Sequence, residues 1–302
     1  MDLFDLHCDT LYECLNTNQG LDNNNLAISL DKGKTLNKWC QTFAVFTPDN
    51  IRCDKAVEHY NSIVALFNNQ CKIHSDKITK CFNYDDIIKA NSEHKCAAIL
   101  SVESGAILGG KLDRVDQITN DGVKIFGLTW NEDNELASGI FGKGGGLTRF
   151  GVDVVNRLNQ LNVLIDVSHL NERGFWQLIE LGINPIIATH SNLRSIKNHK
   201  RNLTDEQFVA ICKTGGVVGI NYYNQFLGND CFDKIYKNIC LMLDLGGENH
   251  IAFGSDFDGC EIENTLNSID KFNDLCNYLI QRGLSDNLLD KLCYNNALNM
   301  FK

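Results

Sequence analysis

Short, mostly apolar runs alternate along the chain with longer segments of mixed polarity. The apolar runs fall at Leu3–Leu6, Thr42–Phe46, Ala97–Val102, Ile125–Leu128, Val163–Asp166, Ile186–Ala188, Val217–Ile220 and Ile251–Phe253. They are continuous where a half-exposed strand would alternate, which is the pattern of strands buried on both faces of a parallel sheet. Between them lie amphipathic segments at Asp54–Asn69, Phe150–Leu161, Asn171–Leu181, Thr204–Lys213 and Phe232–Leu243. In the fourth of these, Thr204 is placed to cap a helix with Glu206 nearby, and Gly215 follows Lys213 as a stop. Eight buried strands separated by helices predict a (β/α)8 barrel, an α/β fold of the TIM type. The competing arrangement is an open doubly wound sheet. Its usual G-x-G-x-x-G after the first strand is missing, because that strand runs into His7-Cys8-Asp9-Thr10.

Composition narrows this picture. With 302 residues, 43% of them hydrophobic, and no compositional break or repeat, residues 1–302 read as one domain with a large core. A net charge of -10 with no basic stripe argues against nucleic acid as a partner. The sequence lacks a signal peptide pattern and any apolar run near twenty residues, so a soluble, cytoplasmic protein with no membrane contact is expected. The 13 cysteines are scattered, odd in number and without a C-x-x-C pair, which reads as reduced, mostly buried thiols. Cys8 and Cys260 flank polar motifs but are expected to pack.

In a barrel of this kind chemistry sits where the strands end. Strand one ends in His7 and Asp9, which alternation along an extended chain places on one side with Cys8 on the other. A His-x-Asp corner suits a borderline divalent ion such as zinc, although taken alone it is more often a hydrogen-bonded polar pair. The other ends carry Glu103, then Asp166 with His169, then His190, then Asp256 with Asp258. One His at a strand end is more often structural; five converging polar ends are not. Three His and several carboxylates exceed what one tetrahedral ion needs, so two metals bridged by one carboxylate, Glu103, fit better, with Asp256 as a spare proton carrier. The piece Gly142–Gly146 has its Lys before the glycines and fails as a P-loop; it reads as a mobile loop near the barrel mouth.

The runs Asp5-Leu6-His7-Cys8-Asp9, Val102-Glu103-Ser104-Gly105, Leu128-Thr129-Trp130-Asn131, Gly146-Leu147-Thr148-Arg149-Phe150-Gly151, Leu164 to His169, His190-Ser191-Asn192 through Arg201-Asn202, and Gly254 to Gly259 resemble the membrane (renal) dipeptidase family, peptidase family M19, in that family's order and over nearly the whole chain. The resemblance implies a dizinc dipeptidase in which a metal-bound hydroxide attacks the peptide bond of L-L and also L-D dipeptides. His7 and Asp9 match ligands of the first zinc, Glu103 the bridge, and His169 and His190 ligands of the second. Asp256 matches the acid that passes a proton to the leaving amine, Arg201 the group that takes the substrate carboxylate, and Tyr223 a pocket tyrosine. Lys200 is the rival for the role of Arg201.

Where well-studied members have a His that holds the tetrahedral intermediate, this chain has Trp130 followed by Asn131. Asn131 is a candidate donor to the oxyanion and Trp130 a pocket wall. The expected partner is a small dipeptide, and a homodimer is allowed. Two other readings compete: a related amidohydrolase acting on a lactone or cyclic amide, disfavoured by His-x-Asp in place of His-x-His, and a non-catalytic metal-binding barrel.

Overall fold

The computed structural model describes residues 1–302. Nine strands occur: β1 (Leu3–Cys8), β2 (Trp39–Phe46), β3 (Ile78–Lys80), β4 (Cys96–Glu103), β5 (Val123–Gly127), β6 (Leu164–Asp166), β7 (Ile186–Ile187), β8 (Val218–Ile220) and β9 (Ile251–Phe253). All pair in parallel, in the order β7-β6-β5-β4-β2-β1-β9-β8, and a bridge between Ala188 and Val218 brings the two ends together. The result is the expected eight-stranded barrel. The extra strand β3 lies beside the first half of β4, from Ile78 opposite Cys96 to Lys80 opposite Ala98.

The main core is the layer between the strands and their covering helices, where the amphipathic segments of the sequence form helices at Asp54–Ile73, Arg149–Gln160, Glu172–Glu180, Asp205–Lys213 and Cys231–Asp244. Thr204 does cap its helix, but its reciprocal partner is Gln207 at the third helical position rather than Glu206, since that is where a side chain reaches back to the cap N–H. A second apolar cluster lies at the opposite end of the barrel from the site. It joins Phe4 and Leu6 of β1 and Ile99 of β4 to Tyr294, Leu298 and Phe301 of the C-terminal segment. The Phe4 ring stacks on Phe301 at 5.4 Å and tilts against Tyr294 at 6.1 Å. This plug closes one end and leaves polar side chains the other. No helix is long and apolar enough to cross a membrane.

Candidate metal centre

The register of β1 against β2 shifts between Asp5 and Cys8. Phe4 and Leu6 belong to the interior plug, so strict alternation would turn His7 away from it; the irregularity lets His7 follow them inward. Asp9 lies past the strand with φ near -101°, at the start of the helix Thr10–Thr17. His7 Nε2 and Asp9 Oδ2 still end 3.4 Å apart. The two residues therefore meet as expected, through a strand irregularity followed by a helix start in place of simple alternation.

Two further buried carboxylates, Asp5 and the strand-end Asp166, fix these strand ends. Asp5 accepts from the backbone N–H groups of His7 and Ser255, from the Ser255 hydroxyl and from Gln41 Nε2, tying β1 to β2 and to the segment after β9. Asp166 accepts from Ser168 N–H and Oγ and from Thr189 N–H and Oγ1, tying β6 to β7. Each carboxylate is satisfied by four donors, which compensates its burial. The ligand-bearing residues stand on rigid supports as a result.

Glu103, at the end of β4, occupies the middle of the site. Its Oε2 is 3.4 Å from His7 Nε2, while Oε1 is 2.9 Å from His169 Nε2 and 3.7 Å from His190 Nε2. Asp256 Oδ1 lies 3.8 Å from His7 Nε2. His7 also stacks on His190, with ring centroids 3.8 Å apart. Two groups of donor atoms thus overlap at His7: one with Glu103 and His190, the other with Asp9 and Asp256.

The donor chemistry suits cations. His169 Nδ1 lies 3.1 Å from Asn131 Oδ1, which can only accept, so the proton is on Nδ1 and Nε2 keeps its lone pair. Thr189 Oγ1 donates to Asp166 and so accepts from His190 Nδ1 at 2.8 Å, freeing Nε2 there also. The two imidazole lone pairs face each other across 3.0 Å. His7 Nε2 and Asp9 Oδ1 are buried without a hydrogen-bond partner. At Gly259 a Cβ would come within 2.1 Å of Asp9 Oδ2 and 2.8 Å of Asp256 Oδ1, so only glycine leaves the carboxylates their space. Metal ions fit this donor set.

Charge balance agrees. Burial and the Asp9 charge push Glu103 up to about 8 against the pull of His7. Burial likewise raises Asp256. Burial opposes the charge on His7, yet Glu103 and Asp9 outweigh it and hold the imidazole well above its usual range. Burial lowers His169 and His190, helped by the positive Arg201 and His7. The side chains alone supply too little positive charge for these acids.

A pH dependence follows for the metal-free protein. Glu103 keeps a proton in the fold that the unfolded chain has released, a contribution complete below its ordinary 4.5 and lost as pH rises through about 8. His7 adds to the loss in the same direction; the lowered His169 and His190 oppose it only near and below 6.5. Between pH 7 and pH 9 the chelator-treated protein is expected to lose about 1 kcal/mol of stability. Denaturant titrations at the two pH values check this, and equal midpoints would remove the explanation.

Above these groups opens a cavity of about 330 Å³, within the range of small-molecule sites. Its lining includes Asp9, Glu103, His169 and Asp256 at the bottom, and Trp130, Asn131 and Tyr223 from the expected set. Trp130 meets Phe46 edge to face at 5.0 Å, and Tyr223 meets Phe226 at 4.7 Å. Asn131 spends its side-chain oxygen on His169, a supporting contact that the sequence reading did not foresee. Sequence reasoning also missed Tyr12, Glu13, Phe141, His199 and Phe226 as lining residues. They come from a helix and from loops whose placement depends on the fold. The Gly142–Gly146 loop follows the cavity-lining Phe141 and is itself held by Lys143 N–H to Asp133 and by Gly145 N–H to Ser138 Oγ at 2.8 Å.

Arg201 is buried beside two cavity-lining residues, its guanidinium 5.6 Å from the Phe226 ring and its backbone N–H donating to His199 Nδ1. It donates to Ser191 Oγ and to the His190 carbonyl, and its Nε is buried without a partner. No carboxylate pairs with it, and burial pushes its guanidinium down to about 10. Lys200, the rival, is exposed and stands over the Phe141 ring.

A closed (β/α)8 barrel with His and carboxylate donors gathered at one end defines a metal-dependent hydrolase. The sequence profile of the membrane dipeptidase family, peptidase family M19, matches residues 1–302, and the chain belongs to that family of metallo-dipeptidases. An uncharacterized protein in the pqqA 5′ region of Klebsiella pneumoniae is 33% identical over 240 residues, 75% of this chain and 89% of that one. An uncharacterized dipeptidase of Schizosaccharomyces pombe is 28% identical over 68% of this chain and 53% of its own. The solved dipeptidase AC, a metallopeptidase of family M19, superposes with a TM-score of 0.94 at 24% identity, over 100% of this chain and 98% of its own. A Rhodobacter sphaeroides metallopeptidase, liganded with a phosphinate mimic of L-Ala-D-Ala, gives 0.94 at 23%, with the same coverage.

Proposed function

We propose that this chain is a dizinc dipeptidase, with Glu103 as the carboxylate shared between the ions. The observation that carries the reading is the division of Glu103: one oxygen turns toward His7, the other toward His169 and His190. His7 and Asp9 would hold one ion, and His169 and His190 the other. When bound, such a pair supplies a water of lowered pKa as nucleophile and polarises the substrate carbonyl.

The chain's own residues do the rest. Asp256, fixed by Asn221 Nδ2 at 2.9 Å, carries a proton from the attacking water to the departing amine. Burial raises its affinity for that proton. Arg201, a buried cation without a carboxylate partner, takes the C-terminal carboxylate of the substrate, for which its planar fork is suited. Trp130 and Tyr223 shape the cavity around a substrate of two residues. The Rhodobacter neighbour's mimic of L-Ala-D-Ala supports an L-D dipeptide as a substrate class here as well. The whole of residues 1–302 acts as one catalytic domain of an enzyme that we place in the cytoplasm.

The test is release of amino acids from a panel of dipeptides with L- or D-residues at the C-terminal position. Turnover is expected from zinc-loaded protein and is expected to fall at least a hundredfold after chelation, returning on addition of zinc. Protein shown to carry two zinc ions that cleaves none of the panel would overturn the reading.

A further inference from the structure

We propose that Glu13 selects dipeptides whose N-terminal residue bears a cationic side chain, Lys or Arg. The inference rests on the dipeptidase reading above and deepens it. Glu13 lines the cavity. It lies one helical turn after Asp9, its N–H donating to the Asp9 carbonyl at 3.2 Å, which sets it on the cavity side of the helix Thr10–Thr17. Its carboxylate has neither a hydrogen-bond donor nor an ion-pair partner in the protein; the nearby Thr17 hydroxyl donates to the Glu13 backbone carbonyl instead.

The other acids around the cavity are committed. Asp9, Glu103 and Asp256 belong to the metal centre, and Asp258 accepts from Thr10 Oγ1 and from Ala27 N–H, both at 2.6 Å. The lining contains no Lys or Arg. Glu13 is therefore the one lining carboxylate left for a substrate charge. Beside it the Tyr12 ring meets Phe46 at 5.0 Å and Phe46 meets Trp130 at 5.0 Å, an aromatic wall on which an aliphatic stem can lie.

Topology assigns the end of the substrate. Arg201 follows β7, and β7, β8, β9 and β1 are successive neighbours around the barrel. A dipeptide held by its carboxylate at Arg201 directs its N-terminal residue across the mouth toward the helix after β1, where Glu13 sits. A Lys or Arg side chain there finds a carboxylate, whereas a neutral chain of equal length leaves it unpaired.

Steady-state kinetics on Lys-Ala, Arg-Ala and the neutral Met-Ala, with wild type and Glu13→Gln, test this. For the wild type, kcat/KM is expected to favour Lys-Ala over Met-Ala about tenfold, mainly through KM, in keeping with a partly screened ion pair. Glu13→Gln is expected to bring that ratio near one, and Glu13→Lys to favour Glu-Ala over Gln-Ala. Ratios within one preparation do not depend on the fraction folded. Turnover of all three substrates without a charge preference would overturn this proposal alone. An equal loss on every substrate in Glu13→Gln would overturn it too, assigning Glu13 to the α-amino group common to all. Hydrolysis of no dipeptide at all would overturn this and the dipeptidase reading together.

Discussion

Asp256→Asn is expected to lower kcat by about 10²- to 10⁴-fold, the usual range for loss of a positioned proton carrier, while two metal ions remain bound. The backbone at Asp256 has a φ of 63°, a left-handed conformation that Asp and Asn tolerate better than other residues with a Cβ. Asparagine therefore keeps the turn, and its side-chain oxygen still accepts from Asn221 Nδ2 as Asp256 Oδ2 does at 2.9 Å. The N–H of residue 256 also retains its bond to the His7 carbonyl at 3.2 Å. What disappears is a group that can take up and return a proton. Asp256→Ala removes the Asn221 contact as well and is expected to cost stability in addition. Zinc content by elemental analysis, measured beside kcat and KM, separates the two effects. Full activity in a metal-replete Asp256→Asn protein would assign the proton to another group, and wild-type kcat with a raised KM would make Asp256 a binding residue.

Much of the scaffold is legible in the sequence because burial on both faces erases the alternation of apolar and polar positions. All eight barrel strands announce themselves in this way, down to the two-residue β7, which the run Ile186–Ala188 marks. The strand β3 does not, since its three residues Ile78-Thr79-Lys80 pair with one neighbour and carry no apolar run. The C-terminal plug is also hidden. Tyr294 and Phe301 pack on Phe4 from almost three hundred residues away, a partnership that no local pattern encodes.

The site divides along the same line. His7, Asp9, Glu103, His169, His190 and Asp256 stand directly at strand ends, so fold class and motif suffice to gather them. Asp5 and Asp166 were equally visible as acids within apolar runs, and a buried acid demands donors. Which donors they find depends on strand neighbours, β1 beside β9 and β6 beside β7, known only once the barrel closes. Asn131 shows a further limit: it was legible as a cavity polar group, but whether it faces substrate or His169 is decided by about one side-chain rotation. Arg201 and Lys200, adjacent in sequence, part company only in three dimensions, one buried and the other exposed.

Glu103→Gln brings these strands together and is expected to have the largest effect: loss of at least one metal ion and a fall in kcat/KM of roughly 10³-fold or more, about 4 kcal/mol of transition-state stabilisation. Glutamine matches the shape of Glu103, so packing around the fully buried end of β4 is preserved. One of its two terminal atoms is now an NH2 with no lone pair to offer, and the other is a neutral oxygen. Because the two Glu103 oxygens turn toward different imidazoles, whichever way the amide sits one side of the centre loses its shared donor. The charge balance changes in the opposite sense. Without a metal, Glu103 is the carboxylate that burial and Asp9 push up to about 8, so replacing it with a neutral group removes a buried acid that ionises as pH rises. Metal-free Glu103→Gln is therefore expected to be at least as stable as the metal-free wild type at pH 9 and to show little of its decline from pH 7. A variant that is less active, holds less zinc and yet is more stable when stripped is not what a packing defect produces. Retention of both ions with near-normal activity would show that the bridge is dispensable, and a stripped variant less stable than stripped wild type at pH 9 would show that Glu103 is held in the fold mainly by its hydrogen bonds.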